Sequence, residues 1–235
     1  MILRPADGGR LLITQPDHAA LAARMMQHWR VGGLVDSPRR DAILLAIQQH
    51  DNGWEEVDAA PSVDRTTGRI LDFINITDDT KREIWPRGVK HLAKTPYAAA
   101  LIAQHALHIY RRYQSDPHWE RFFETMADLC ERHLRAAAGP SRDDLMSDYS
   151  FVRIGDLASL AFCNAWTEVQ TEVPGYSITL AGERLVITPD PFEGQEIPFE
   201  IRARFLPDRS YTASDAAEAF WHQAPVTVKG TASGR

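Results

Sequence analysis

Cysteine is nearly missing from this chain. Cys130 and Cys163 are the two thiols in 235 residues, too few for a disulfide framework and in keeping with a reducing compartment. Long apolar runs are missing as well. None approaches the roughly 18 residues that a bilayer span needs, and the opening "MILRPADGGRLLIT" lacks the apolar core and cleavage site of a secretory signal. No block of like charge stands out and the net charge is −6, which argues against a non-specific nucleic-acid binder with its basic face. No glycine-rich phosphate loop of the P-loop kind is found. These absences point to a soluble, cytoplasmic protein with no nucleic acid and no membrane as partner, leave room for a small-molecule substrate, and make a homodimer the default assembly.

What is present is an ordinary globular composition, 44% hydrophobic and 25% charged, and a strong helical period. "MILRP" and "RLLIT" around "ADGG" read as a hairpin over residues 1–14. "QPDHAALAARMMQHWR" then puts His18, Leu21, Ala22, Met25, Met26 and Trp29 on one helical face. Ser37-Pro38 reads as the start of the next helix, whose stripe is Ile43, Ala46, Ile47 and His50 and which stops at Asn52-Gly53. Residues 55–78 form a long irregular connection, a length often tied to function. Three or four more helices follow, one with Pro86 and Gly88 as potential breaks, one opening at Pro96, one amphipathic to about Gly139, and a last one in one piece or two. After about residue 172, "YSITL", "RLVIT", "FEIRARF" and "VTVKG" are short strand-like runs, and "TASGR" reads as a frayed tail.

The informative feature is a set of ionisable residues inside apolar stripes. His18 heads the first stripe, His50 closes the second, His105 sits among Ala98, Leu101, Ile102 and Ile109, and Asp156 lies among Val152, Leu160 and Cys163. Burying such groups costs several kcal/mol unless they are paired or bound to metal. Singly, each has an ordinary reading: a hydrogen-bonded core histidine, a polar helix end at Asp51, or an Asp156 paired with Arg153 one turn back. Together they fit a metal site, because imidazole and carboxylate are the usual donors for zinc, iron and manganese and bundles build such sites from facing helices. Adjacent residues diverge by about 100° on a helix, so His50 and Asp51 can share a site best where the helix ends.

The order His18, His50-Asp51, Asp156 resembles the HD-domain superfamily of metal-dependent phosphohydrolases, over about residues 15–167. Over nearly its full length, through "LLITQPDHAALA", "HDNGWEEVDAAP", "DFIN", "PYAAALIAQHALHIY" and "GDLASLAFC", the chain also resembles the bacterial domain-of-unknown-function family number 3891, which brings no activity with it. The HD resemblance implies an all-helical fold: a mainly α, HD-domain-like bundle over residues 1–170, with a small antiparallel β appendage over 171–235 joined by the N-terminal hairpin into a single structural unit. It implies one or two divalent ions (Fe, Mn or Zn) held by His18, His50, Asp51, His105 and Asp156, with His91 as a further ligand, and Asp51 and His105 as catalytic residues. Lys90, Lys94 or Arg87 would neutralise phosphate. The alternative within the resemblance is a di-iron oxygenase with Trp54, Asp58 and Asp72 shaping its pocket. A second alternative is a non-catalytic metal protein, with Phe220 or Trp221 serving association.

Overall fold

The computed structural model describes residues 1–171, 173 and 175–235. Its strands pair into one seven-stranded sheet in the order β1-β2-β6-β7-β5-β4-β3: β1 Ile2–Ala6, β2 Gly9–Ile13, β3 Glu168–Gln170, β4 Ser177–Ala181, β5 Arg184–Thr188, β6 Ile197–Pro207 and β7 Val226–Gly234. The helices among the described residues are α1 Gln15–Met26, α2 Arg40–Gln49, α3 Asp78–His91, α4 Pro96–Ile109, α5 Glu120–Ala136, α6 Arg142–Asn164 and α7 Ala213–His222. None of them is long and apolar enough to cross a membrane.

The expected mainly α, all-helical bundle with a small antiparallel appendage is corrected here. The chain is 47% helix and 19% strand, and its sheet is mixed and curls into a half-barrel. The reason is long-range pairing. β2 pairs with β6, and β7 joins the two halves, antiparallel to β6 and parallel to β5. "TASGR", expected to fray, supplies the whole β7 side of the parallel register, Arg184↔Thr231 to Ile187↔Gly234. Small residues are needed at this end of β7. A Cβ on Gly230 would come within 2.5 Å of the Phe162 ring, and one on Gly234 within 1.7 Å of Asp190.

Helices and sheet share one hydrophobic core, which runs from Ile2 and Ile13 through α1, α2, α4 and α6 to Leu185, Phe199 and Ala232. Phe162 on α6 meets Phe199 on β6 edge-to-face at 4.7 Å, a contact worth about 1 kcal/mol beyond burial. A smaller core of Met1, Leu12, Leu206, Tyr211, Ala216 and Phe220 seats α7 on the outer side.

Two helices differ from the sequence reading, and a third closes an alternative it left open. α2 begins at Arg40, two residues past Pro38, because the Ser37 hydroxyl accepts the Arg39 N–H and holds a turn ahead of the helix. α3 runs unbroken through Pro86, its burial at Ile84, Trp85 and Val89 outweighing the one bond that proline gives up. α6 is a single 23-residue helix, opened by a Ser141–Asp144 capping box and closed by Ala165 in the left-handed conformation.

Candidate metal centre

Four helix segments deliver the polar cluster, and each is placed by its own local chemistry. β2 ends at Ile13 and α1 starts at Gln15, so the sheet itself sets the height of His18 in the first turn; the Thr14 hydroxyl caps that turn at Asp17 N–H. His50 is the C-terminal cap of α2, and Asp51 opens the 3-10 turn Asn52–Trp54. The helix thus ends between the two ligand candidates. Gly53 makes this turn possible: a Cβ there would lie 2.0 Å from the Ile84 carbonyl oxygen, and one on Gly88 would lie 2.4 Å from Asn52 Oδ1. The Asn52 amide donates to the Gly88 carbonyl at 3.2 Å, clamping the turn to α3. His105 comes from the middle of α4 and Asp156 from α6. Gly155 lets α6 approach closely, its missing Cβ lying 2.9 Å from Met26 Cγ.

The donor atoms converge. His18 Nε2 and His50 Nε2 are 3.0 Å apart. Asp51 Oδ2 lies 3.1 Å from His18 Nε2 and 3.6 Å from His50 Nε2; Asp156 Oδ1 lies 3.5 and 3.3 Å from the same nitrogens. A cation coordinated at about 2.1 Å holds neighbouring donors about 3.0 Å apart in an octahedron and about 3.4 Å in a tetrahedron, so the spacing fits a single ion. His105 Nε2 stands 3.7 Å from the other oxygen of Asp156. All five side chains are buried. Two overlapping groups could each hold a metal ion, His18–His50–Asp51 and His50–His105–Asp156.

Hydrogen bonds behind the rings decide which nitrogen faces the centre. His50 Nδ1–H donates to the Ile47 carbonyl at 2.7 Å, which leaves its Nε2 with a lone pair. The Ser159 hydroxyl donates to the Asp156 carbonyl and so accepts from His18 Nδ1–H at 2.6 Å; the His18 Nε2 is again a lone pair. Two lone pairs 3.0 Å apart repel, so a proton or a cation must lie between them. In the metal-free chain it is a proton. Burial alone would lower the His50 pKa, but Asp51 and Asp156 outweigh it and raise it to about 9. The same pairing holds the Asp156 carboxyl far below the usual carboxylate range despite its burial. Burial lowers His105 to about 4, and its Nδ1 sits 3.1 Å from the Tyr149 hydroxyl.

Of the other residues singled out in the sequence, His91 is exposed at the end of α3, outside both groups. Arg87 pairs with Glu56 at 3.0 Å, and Lys90 and Lys94 point to solvent. Asp72 caps its own turn through the Ile74 and Asn75 N–H groups. Asp58 accepts from the Gln15 N–H at 2.6 Å.

Two clefts reach the cluster. One of about 240 Å³ touches Asp51, His105 and Asp156 and is walled by Trp54, Phe73, Trp85 and Tyr110, with Lys81 and Arg112. The other, about 410 Å³, lies against His105 and Asp156 and is lined by His108, Arg111, Arg112 and Arg153. Sequence reasoning missed Lys81, although it stands in the apolar stripe Lys81, Ile84, Trp85, Gly88 and is buried. The test that singled out His18 and Asp156 would have found it. It also missed Ser159, which lies one turn past Asp156.

Fold and site together define the class: a helical layer on a curled mixed sheet, with a buried His/Asp cluster able to hold a metal ion. The chain belongs to the family described as protein of unknown function (DUF3891), which matches residues 1–208. No curated protein and no solved structure matches it.

Proposed function

We propose that this protein is a metal-dependent hydrolase of small phosphorylated substrates, with His18, His50, Asp51 and Asp156 as ligands to a divalent ion such as iron, manganese or zinc. The observation that carries the reading is the convergence of His18 Nε2 and His50 Nε2, 3.0 Å apart and oriented by bonds behind the rings, with one oxygen each of Asp51 and Asp156 within 3.6 Å of both. The ligand order along the chain, His18, His50-Asp51, Asp156, is that of HD-type phosphohydrolases, which supports the choice of reaction.

A divalent ion in such a set lowers the pKa of a coordinated water and polarises a phosphoryl oxygen. The chain's own residues supply the rest. Asp51 and Asp156 balance the charge and keep His18 and His50 in place. His105, neutral above about pH 4, borders both clefts and is positioned to exchange a proton with a bound substrate through Nε2. Lys81 and Arg112 place positive charge at the wall of the first cleft, and Arg111 and Arg153 line the second, which favours an anionic substrate.

One observation favours a second reading, a di-iron oxygenase. Asp156 turns one oxygen to His50 and the other to His105, the disposition of a bridging carboxylate. Metal analysis separates the two. The protein purified without added metal is assayed by mass spectrometry and against p-nitrophenyl phosphate and bis(p-nitrophenyl) phosphate. About one ion per chain with ester cleavage, both lost in Asp51→Ala, supports the hydrolase. About two irons per chain and no cleavage supports the oxygenase. Unchanged metal content in both His50→Ala and Asp51→Ala would sink the site itself.

A further inference from the structure

Arg112 differs from the arginines near it. Arg82 pairs with Asp79 and Arg87 with Glu56, whereas Arg112 has no carboxylate at ion-pair distance among the described residues. It is exposed, yet its guanidinium is held. The group lies 4.7 Å from the centre of the Tyr113 ring and donates to the Tyr113 hydroxyl at 2.9 Å. Tyr113 stacks on Trp119 at 4.7 Å and 6°, and Arg82 lies over Trp119 at 5.3 Å. A fork held against an aromatic face loses less freedom when it meets an anion. Arg112 also lines both clefts, as do His105 and Asp156 of the cluster. The second cleft is a furrow between α4 and α6. Tyr149 on α6 meets His105 on α4 through its hydroxyl at 3.1 Å, and its ring lies 5.6 Å from that of His108, so the late part of α4 runs beside the early part of α6. His108 stands one turn past His105, and Arg153 one turn before Asp156. The furrow therefore leads outward from the buried cluster to the exposed Arg111 and Arg112. Its described lining carries three arginines against one carboxylate, that of Asp156.

We infer that this furrow seats a second anionic group of the substrate, a carboxylate or phosphate apart from the one that reacts, and that Arg112 is the residue that selects for it. The substrate class is a small phosphorylated compound with a further negative group. Arg111 donates to His108 Nε2 at 2.6 Å and adds charge to the wall. Arg112 offers the planar fork that a two-oxygen edge accepts bidentately. A helical turn rises about 5.4 Å, so a group held one to two turns from His105 sits roughly 5–11 Å from the reacting centre, farther than one phosphate extends. The volume of about 410 Å³ falls within the roughly 300–1,000 Å³ of small-molecule pockets and leaves room for the atoms that connect the two groups. The inference rests on the hydrolase reading only for which end of the substrate reacts.

Two measurements separate the anion seat from the chemistry. Inorganic phosphate is titrated calorimetrically, at low ionic strength, into protein freed of metal by chelator and then dialysed. One saturable site per chain is expected, weakened about tenfold in Arg112→Gln, the worth of one charge-assisted hydrogen bond, with Arg112→Lys between the two. The metal-loaded protein is assayed on 3-carboxyphenyl phosphate beside phenyl phosphate. The carboxylated ester is expected to have the higher kcat/KM by at least about tenfold, mainly through KM, and Arg112→Gln to bring the ratio close to one. Arg112 is exposed, so its variants are expected to keep the wild-type melting temperature. The absence of a saturable phosphate site, equal phosphate affinity in wild type and Arg112→Gln, or equal kcat/KM for the two esters overturns the inference. In the last case the cleavage itself leaves the hydrolase standing. Phosphate binding that Arg112→Gln weakens, in a protein that cleaves neither ester when metal-loaded, supports the seat and refutes the hydrolase alone.

Discussion

Ser159 links two members of the cluster through a single oxygen. It accepts from His18 Nδ1–H and donates to the carbonyl of Asp156, so it fixes which His18 nitrogen faces the centre. Groups of this kind typically contribute 10–100-fold to metal affinity. Ser159→Ala is expected to weaken metal binding by about that factor in a calorimetric titration while the far-ultraviolet dichroism stays native. An unchanged affinity would remove the tautomer argument. The titration of the metal-free protein follows from the same residues. His50, raised to about 9, contributes stability that is complete below the unfolded value of 6.5 and is lost as pH rises from there through about 9. His105 acts on the acid side: the unfolded chain takes up a proton near 6.5, the folded one resists to about 4, and stability falls by up to about 3 kcal/mol between the two. The melting temperature in chelator is therefore expected to peak near pH 6.5, and His105→Leu to flatten the acid limb in scanning calorimetry. Because metal must displace the His50 proton, its affinity is expected to rise with pH up to about 9, with proton release visible as buffer-dependent heat.

At the scale of elements, the crossing of the 52–54 turn with α3 decides whether His50 and Asp51 converge. Gly53→Ala sets a methyl 2.0 Å from a carbonyl oxygen that cannot step aside. Gly155→Ala meets Met26 Cγ at 2.9 Å, a side-chain atom that can give. The first is expected to cost more than about 2 kcal/mol in urea denaturation and to abolish metal binding, the second about 1 kcal/mol with binding retained; the reverse order would sink this account of the turn. Much of this layer was legible in the sequence. The apolar stripes located α1, α2, α4 and α6, and polar residues inside them located His18, His50, His105 and Asp156, because burial and helical period are both local properties. Lys81 was legible by the same rule and went unread. The clamp between Asn52 and Gly88 was not legible, since nothing in either stretch names the other as its neighbour. Pro86 reads as a break in sequence and is overridden by the packing around it.

For the whole molecule, the sheet was the least legible part. The strands of the C-terminal third announce themselves by alternation, yet their order depends on pairings such as β2 with β6 and β5 with β7, which no local pattern encodes. Small residues in "TASG" suggested a loose end, yet they form the parallel ladder with β5, where Gly234 leaves room for Asp190, and Gly230 just before them passes under Phe162 and Phe199. The matched family segment ends at residue 208, whereas β7 lies beyond it. A chain cut after residue 208 exposes facing edges of β6 and β5 and is expected to be recovered as aggregate, with no cooperative thermal transition. A soluble, cooperatively melting fragment would show that β7 is dispensable.

The position of β7 also imposes a timetable. Among the described strands it comes after the other six in chain order, and it is the one that joins the two halves of the sheet. Between the end of β6 at Pro207 and the end of β7 at Gly234, synthesis at about 5–20 residues per second leaves roughly 1–5 s in which β1, β2 and β6 exist without their partner. During that interval the edge of β6 is open to any other nascent chain. Slowing translation over residues 208–234 would lengthen that exposure, and the yield of soluble protein would fall with it.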